Sequence, residues 1–283
     1  MLTIEQFNRT RRLALRLAGI ELHERHRELL SRRCRRTRIE SAALFDAMLD
    51  AAEERDPGAG RRLVNLVTTN FTGFFRHPWH FDIAAEHALW AVHRRRKVRM
   101  WCAAAATGEE PYSLAMALME VFRRDDPPAT IEATDIDDEA LGCARRGEYG
   151  EHALRTLDGE RRARFFAESD ARGRWGVGAP VRRLVEFRTL NLVDAIWPVK
   201  GQFDVIFCRN VLMYLEAGFR RAVFERLASL LAADGLLILD PAENPDAATR
   251  WFRQRAEGLY QFRKTMPFDR AGTARMAGVG WSV

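Results

Sequence analysis

The sequence predicts a doubly wound α/β sheet behind an all-helical segment, and three observations predict it. Apolar residues up to about residue 70 recur at helical spacing. From residue 97 short apolar segments alternate with helical ones, the rhythm of strand–helix–strand units. Residues 147–184 break that rhythm with Gly, Arg and Asp, which fits an insertion or small subdomain better than another repeat unit. A chain of 283 residues has room for one large domain and a small companion.

Leu13, Leu15, Leu17 and Ile20, then Leu29 and Leu30, then Leu44, Phe45, Met48 and Leu49 give the apolar faces of the helical segment. Ser41 and Asp56-Pro57-Gly58 mark breaks between helices, and Arg94 to Lys97 closes a further one. Residues 97–102 (KVRMWC) predict the first strand, followed by a turn at Thr107-Gly108 and a helix over 111–122 with Pro111 at its first position. After Pro127-Pro128, residues 130–134 (TIEAT) predict a strand ending at Asp135, and 138–146 a helix. Inside the insertion, 158–166 reads as helical and 172–178 as hairpin-like. Residues 185–190 (VEFRTL) and 203–208 (FDVIFC) predict two more strands, the second apolar in the manner of a buried parallel strand. A helix over 219–232, a turn at Asp234-Gly235, a strand over 236–239 and a closing strand over 258–262 complete the pattern.

Composition excludes several classes. No apolar run reaches the ~20 residues that span a bilayer, and the first 22 residues lack the continuous apolar stretch of a secretory signal. Cys34, Cys102, Cys143 and Cys208 are scattered without metal-ligand spacing, so neither disulfides nor a metal site is expected, and the cytoplasm is the expected compartment. The formal charge of +6 is concentrated. Between His23 and Arg38 lie seven arginines (Arg25, Arg27, Arg32, Arg33, Arg35, Arg36, Arg38) against two glutamates. Such a cluster is either a solvated helix face or a landing surface for an acidic partner, nucleic acid or protein. The absence of interleaved aromatics and of a groove-reading motif argues against nucleic acid.

In an open parallel sheet, ligands lie beyond the carboxyl ends of the strands. The first strand runs into Ala103–Ala106 and Thr107-Gly108-Glu109-Glu110-Pro111, a turn of small residues that either packs or lets a ligand approach; it is not GxGxxG. Asp135 either accepts the hydroxyls of a ribose or caps the next helix, a task that suits Asp137 better. Asn191 offers an amide to an adenine edge, with Leu192 to pack on its face. Arg209-Asn210 and Tyr214 follow the fully apolar strand, as ligand-facing groups or as ordinary strand-end solvation. The stretch 68–76 (TTNFTGFFR) has neither helical nor alternating period and three aromatics; it either folds over a pocket or is a linker buried between domains.

Four segments together decide between these readings: TTNFTGFFR (68–76), RMWCAAAATGEEPYSLAM (99–116), ATDIDDEALGCARRGEY (133–149) and FDVIFCRNVLMYL (203–215). They resemble the CheR family of chemotaxis receptor methyltransferases, and the similarity extends from about residue 3 to residue 264. The resemblance implies a Rossmann-like class I methyltransferase sheet in residues 71–283, an N-terminal helical receptor-binding domain in 1–70, and a small antiparallel β-subdomain at about 150–184. It implies S-adenosylmethionine as cofactor, bound by Asn70, Thr72, Arg76, Glu110, Asp135, Asn191, Leu192, Arg209 and Asn210. Glu110 would take the methionine amino group, Asp135 the ribose, and Asn191 and Leu192 the adenine end. Arg76 and Tyr214 would stand near the methyl group and the incoming glutamate. The implied partners are the acidic cytoplasmic helices of chemotaxis receptors, met by Arg32, Arg33, Arg35 and Arg36, and a receptor tail peptide pairing with the β-subdomain edge; nucleic acid and membrane insertion are not implied. Two places depart from the pattern: Ala104-Ala105-Ala106 where relatives carry Ser or Cys, and Ala242-Glu243-Asn244 where Ser-Glu-Asn is usual.

The implied chemistry needs no general base, because a glutamate with a pKa near ~4.3 is already ionised at neutral pH. The protein's task is alignment and removal of water. The alternatives are a methyltransferase of the same fold with another protein or small-molecule acceptor, and a cofactor-binding module without catalysis; the presence of both Arg76 and Tyr214 argues against the latter.

Overall fold

The computed structural model describes residues 2–37, 41–95, 97–170, 173–243 and 250–263. Four helices open the chain: α1 (Ile4–Ala18), α2 (His26–Arg36), α3 (Ala42–Glu53) and α4 (Pro57–Val67). Local chemistry sets their ends. Thr3 and Gln6 form a reciprocal capping box at the start of α1, and Gly19 ends it at φ 65°, a conformation that favours glycine. Asp56 caps α4 with Pro57 in the first turn. Phe7, Leu13, Leu30, Phe45, Leu49 and Leu63 are buried together as the core of this bundle.

A fifth helix, α5 (Pro78–Arg95), leads into β1 (Val98–Cys102), α6 (Glu109–Phe122), β2 (Ala129–Asp135) and α7 (Asp138–Arg146). The insertion holds β3 (Glu148–Gly150), α8 (Gly159–Phe165), β4 (Phe166–Asp170), β5 (Arg174–Val177) and α9 (Ala179–Arg183). The chain returns as β6 (Val185–Thr189), β7 (Phe203–Phe207), α10 (Ala217–Leu230), β8 (Leu231–Ile238), β9 (Phe252–Ala256) and β10 (Leu259–Phe262). Seven strands form one sheet in the order β6-β2-β1-β7-β8-β10-β9. The first five are mutually parallel, and β10 and β9 are antiparallel additions at the edge. Strand order therefore reverses between β1 and β7, which opens a crevice at their carboxyl ends. The insertion forms the expected antiparallel sheet, β3-β5-β4, whose Tyr149, Phe166 and Val177 join the main core.

The architecture follows the sequence reading, with local corrections. α6 starts at Glu109, two residues earlier than predicted, with Gly108 as its cap and Pro111 in the third position. Proline is accepted there because the first-turn N–H groups have no intrahelical acceptor to lose. Asp234-Gly235 is not a turn between α10 and β8. Leu231 pairs with Phe203 while Leu236 pairs with Val205, so the dipeptide lies in a bulge inside a longer strand. Strand β9 (FRQRA) was not predicted; only Phe252 is buried and the other four residues are exposed, the composition of a charged edge strand.

Gly108 joins fold to site. It sits at φ 98°, and a Cβ there would lie 2.8 Å from the Ala144 side chain and 2.9 Å from the Tyr149 hydroxyl. Gly108→Ala is expected to cost about 1–3 kcal/mol in stability and to weaken binding of S-adenosylhomocysteine, measured by denaturant unfolding and calorimetry. Unchanged values for both would refute the strain at this turn.

Candidate active site

The crevice between the carboxyl ends of the parallel strands and the helical bundle encloses a cavity of about 250 Å³. Every residue assigned above to the cofactor lines it: Asn70, Thr72, Arg76, Glu110, Asp135, Asn191, Leu192, Arg209 and Asn210, together with Tyr214. The bundle supplies the opposite wall, with Ile20, Leu22, His26 and Leu30 among its residues. A second cavity, about 210 Å³, lies beside the first. Arg76, Tyr214, Asn210, Thr69 and Phe71 line both, while Met213, Asp240 and Ala242 line only the second. Phe71 and Met213 are exposed apolar side chains, 78% and 49% accessible.

Two buried groups meet at the strand-order reversal. Arg209, directly after β7, donates through Nη1 to Glu110 Oε2 at 3.1 Å and through Nη2 to the Arg76 carbonyl at 2.7 Å. Burial raises the Glu110 pKa, and the neighbouring Arg209 charge opposes that rise. Among the described residues Glu110 Oε1 is buried and receives no nitrogen or oxygen donor, and the Cys102 thiol lies against the carboxylate. Asp135 accepts from Ala106 N–H at 2.7 Å and from Asp137 N–H at 2.9 Å. Its pKa rises to about 6 because burial outweighs those bonds. Asp137 caps α7 through Ala140 N–H, the task that suits it better than Asp135. Its other oxygen holds the loop after α4, accepting from Thr68 Oγ1 at 3.1 Å and Asn70 Nδ2 at 2.7 Å.

The stretch 68–76 divides between the two roles open to it. Phe74 and Phe75 are buried in the main core, whereas Phe71, Thr72 and Arg76 line the cavity. Phe75 and His77 have φ of 51° and 58°, so a left-handed residue stands on each side of Arg76. The Arg76 guanidinium donates to the Phe71 carbonyl at 3.3 Å and lies 3.5 Å from Asp240. Glu243, which entered the sequence reading only as part of a departure, accepts from five backbone N–H groups: Asn210, Val211, Leu212, Met213 and Asp240. It holds the turn that presents Asn210 and Tyr214. The sequence signal was present in two acids directly after an apolar strand, but nothing local told a structural acid from a ligand-facing one. Asn244 lies outside the described residues.

Two of the assigned side chains have partners within the protein. Asn191 lines the cavity, but both amide hydrogens are engaged, with the Leu17 carbonyl at 2.8 Å and Asp194 at 3.1 Å, and its oxygen accepts from Val193 N–H. The side chain ties α1 to the segment after β6. Arg33 does not belong to an outward basic face. Its guanidinium turns inward onto the carbonyls of Leu66, Val67 and Thr68 and the Thr69 hydroxyl, where a cation satisfies the carboxyl end of α4. Arg32 and Arg35 are exposed, with Arg32 paired to Glu28 one turn away. Arg36 ends α2.

A family model described as "CheR methyltransferase, SAM binding domain" matches residues 70–260. The chain belongs to the CheR methyltransferase family. It is 39% identical over 264 residues to "Chemotaxis protein methyltransferase 2" of Pseudomonas aeruginosa, covering 91% of this chain and 93% of that protein. It is 35% identical over 264 residues to the chemotaxis protein methyltransferases of Salmonella typhimurium and Escherichia coli, covering 91% of this chain and 90% and 91% of theirs. S-adenosylmethionine is the cofactor of this CheR domain, and the residues present fit it. The cavity offers two buried carboxylates, one with an oxygen short of donors, for a cationic and hydroxylated ligand. Apolar Ile136 and Leu192 line it too, side chains suited to contact with a planar ring.

A ligand whose hydroxyls donate to Asp135 binds its ionised form. Because the unliganded pKa is about 6, affinity for S-adenosylhomocysteine is expected to be flat above pH ~7. Below about pH 6 it should fall, approaching tenfold per pH unit as the carboxylate takes up a proton before binding. Calorimetry across pH 5–8 measures this. An Asp135→Asn variant that kept the same pH profile would assign the titration to another group, such as His26 in the facing wall.

Proposed function

We propose that this protein transfers the methyl group of S-adenosylmethionine to glutamate side chains of chemotaxis receptors in the cytoplasm, forming methyl esters in sensory adaptation. One observation carries the reading: two cavities meet at Arg76 and Tyr214, one walled by buried carboxylates, the other open beside exposed apolar residues. The relatives' name, chemotaxis protein methyltransferase, supports the acceptor class.

In this reading Glu110 takes the ammonium of the cofactor's methionine portion, and Arg209 fixes Glu110. Asp135 takes the ribose hydroxyls, Leu192 packs on the adenine, and Asn70, Thr72 and Asn210 close the remaining sides. When bound, the cofactor supplies a methyl group on sulfonium sulfur, which an ionised carboxylate accepts as the carbon–sulfur bond breaks with its electron pair left on sulfur. No proton moves, so no side chain acts as a base. Arg76 orients the acceptor carboxylate, Tyr214 stands beside it as a hydroxyl donor, and Phe71 and Met213 cover the entry against water. Alignment of this kind is worth several kcal/mol, up to roughly 7–11 in favourable systems. Residues 1–70 serve as the receptor-binding domain, with Arg32, Arg35 and Arg36 on α2 as the basic landing surface and the edge of β3-β5-β4 open to a receptor tail peptide.

Label transferred from the cofactor to a cytoplasmic receptor fragment is expected to be released by mild alkali, since esters hydrolyse and N-methyl groups do not. Alkali-stable label would point to a different acceptor. Arg76→Ala should lower kcat/KM by about 10²-fold, with a stability change of at most about 1 kcal/mol because the side chain is partly exposed. Retained ester formation in that variant would remove Arg76 from the reaction. Replacing Arg32, Arg35 and Arg36 together by Glu should weaken receptor binding at least about tenfold at low salt and flatten its salt dependence. An unaltered salt dependence would place the landing surface elsewhere.

A further inference from the structure

Among the described residues, Asp240 is the one carboxylate that lines the second cavity. It is buried, with its side chain 6% exposed, and no hydrogen-bond donor among the described residues meets its Oδ2. That oxygen lies 3.5 Å from Arg76 Nη2 and 3.6 Å from His77 Nε2. Its Oδ1 accepts from Ala242 N–H at 3.0 Å, and Glu243 takes its backbone N–H. The aspartate is thus anchored from its own turn, and it touches Arg76 at the length of a loose ion pair rather than of a hydrogen bond.

We infer that Asp240 is a positioning residue that shares the Arg76 guanidinium with the acceptor carboxylate; the inference rests on the function proposed above. An acceptor carboxylate loses its charge on becoming an ester. A guanidinium that grips it in a full forked pair therefore stabilises the starting state more than the transition state. A second, resident carboxylate on the same guanidinium weakens that grip. It also aims the guanidinium across the mouth of the second cavity, where, among the described residues, the Phe71 carbonyl and ring also hold Arg76. Two left-handed residues, Phe75 and His77, fix the backbone on either side, so Asp240 sets the direction of the side chain within a frame already rigid.

The test is Asp240→Asn, which keeps an oxygen for Ala242 N–H and removes the charge. With S-adenosylhomocysteine bound, the variant should bind a cytoplasmic receptor fragment about fivefold more tightly; in turnover KM should fall and kcat should fall with it. Affinity for S-adenosylhomocysteine itself should stay within about threefold, since Asp240 does not line the first cavity. Removing any acid near an acidic partner could also tighten binding, so the same substitution is made in an Arg76→Ala background. There it should have no further effect. Tightening that persists without Arg76, or Asp240→Asn binding no tighter than wild type, overturns the inference. If the Asn variant does not fold, Asp240→Glu decides: its longer side chain presses the carboxylate onto Arg76, and receptor affinity should drop about fivefold; unchanged affinity overturns the inference equally. Wild-type enzyme that forms no ester sinks the functional reading and this inference with it. Ester formation with variants indistinguishable from wild type sinks the inference alone.

Discussion

The site is organised by the buried pair of Glu110 and Arg209. Glu110 follows β1 and Arg209 follows β7, the two strands between which strand order reverses. The second arm of Arg209 reaches the Arg76 carbonyl, so one guanidinium ties three separate chain segments at a single point. Such a pair is a poor stabiliser by itself, because removing two charges from water costs about as much as their attraction returns. Its value lies elsewhere. A lone buried glutamate would take up a proton, and the raised pKa of Glu110 shows that burial pulls in that direction. Arg209 counters the pull, and among the described residues the other oxygen has no nitrogen or oxygen donor.

Around that pair the backbone is held in unusual conformations. Among the described residues six non-glycine positions have positive φ, and four of them border the site: Phe75, His77, Ala106 and Asn210. Asparagine adopts this conformation at little cost, whereas an aromatic residue does so only where its surroundings fix it. Phe75 is fixed on several sides. Its ring is buried against Phe81, the Arg161 guanidinium covers it, and its N–H donates to Ser113 at 2.9 Å. The packing of the sheet core thus holds the strain that delivers Arg76 to the cavity, and core and site are coupled through one side chain.

What could be read in advance followed from position along strands. Glu110, Asp135 and Arg209 each interrupt or follow an apolar strand, and in a parallel sheet that place is the ligand face whatever the details. What could not be read was direction. Arg33 and Arg32 are adjacent and chemically identical, yet one turns in to the end of α4 and the other out to Glu28; only the packing of α2 on α4 decides which. Asn191 has a partner that no local pattern reveals, since Leu17 is 174 residues away in sequence. The bundle wall of the cavity was invisible for the same reason: Ile20 and Leu30 read as parts of apolar helix faces, and neither they nor Leu22 carry a ligand signature. Asp240 and Glu243 looked like two acids in a turn. The structure gives one of them five backbone donors and the other an arginine to share.

The inward turn of Arg33 bears on how docking and catalysis connect. It grips residues 66–69, and the same loop continues to Asn70, Thr72 and Arg76 within a few residues. Asp137 holds that loop from the sheet side through Thr68 and Asn70. The loop is therefore clamped between α2 and the β2–α7 turn, and a shift of α2 by even a fraction of an ångström must be taken up in the segment that carries the cavity-lining residues. Further contacts fasten the bundle to the sheet domain, among them Asn191 to Leu17, Asn65 to Asp138, and the Ile20–Leu215 bridge formed by Glu21 N–H on the Tyr214 carbonyl and Glu216 N–H on the Gly19 carbonyl. That bridge flanks Tyr214. If receptors land on the outer face of α2, the helix that receives them grips the loop that leads to Arg76, and the segment just before it pairs with the backbone around Tyr214. A bundle joined by a flexible linker alone would raise the local concentration of acceptor; this one also sets the position of the residues that align it.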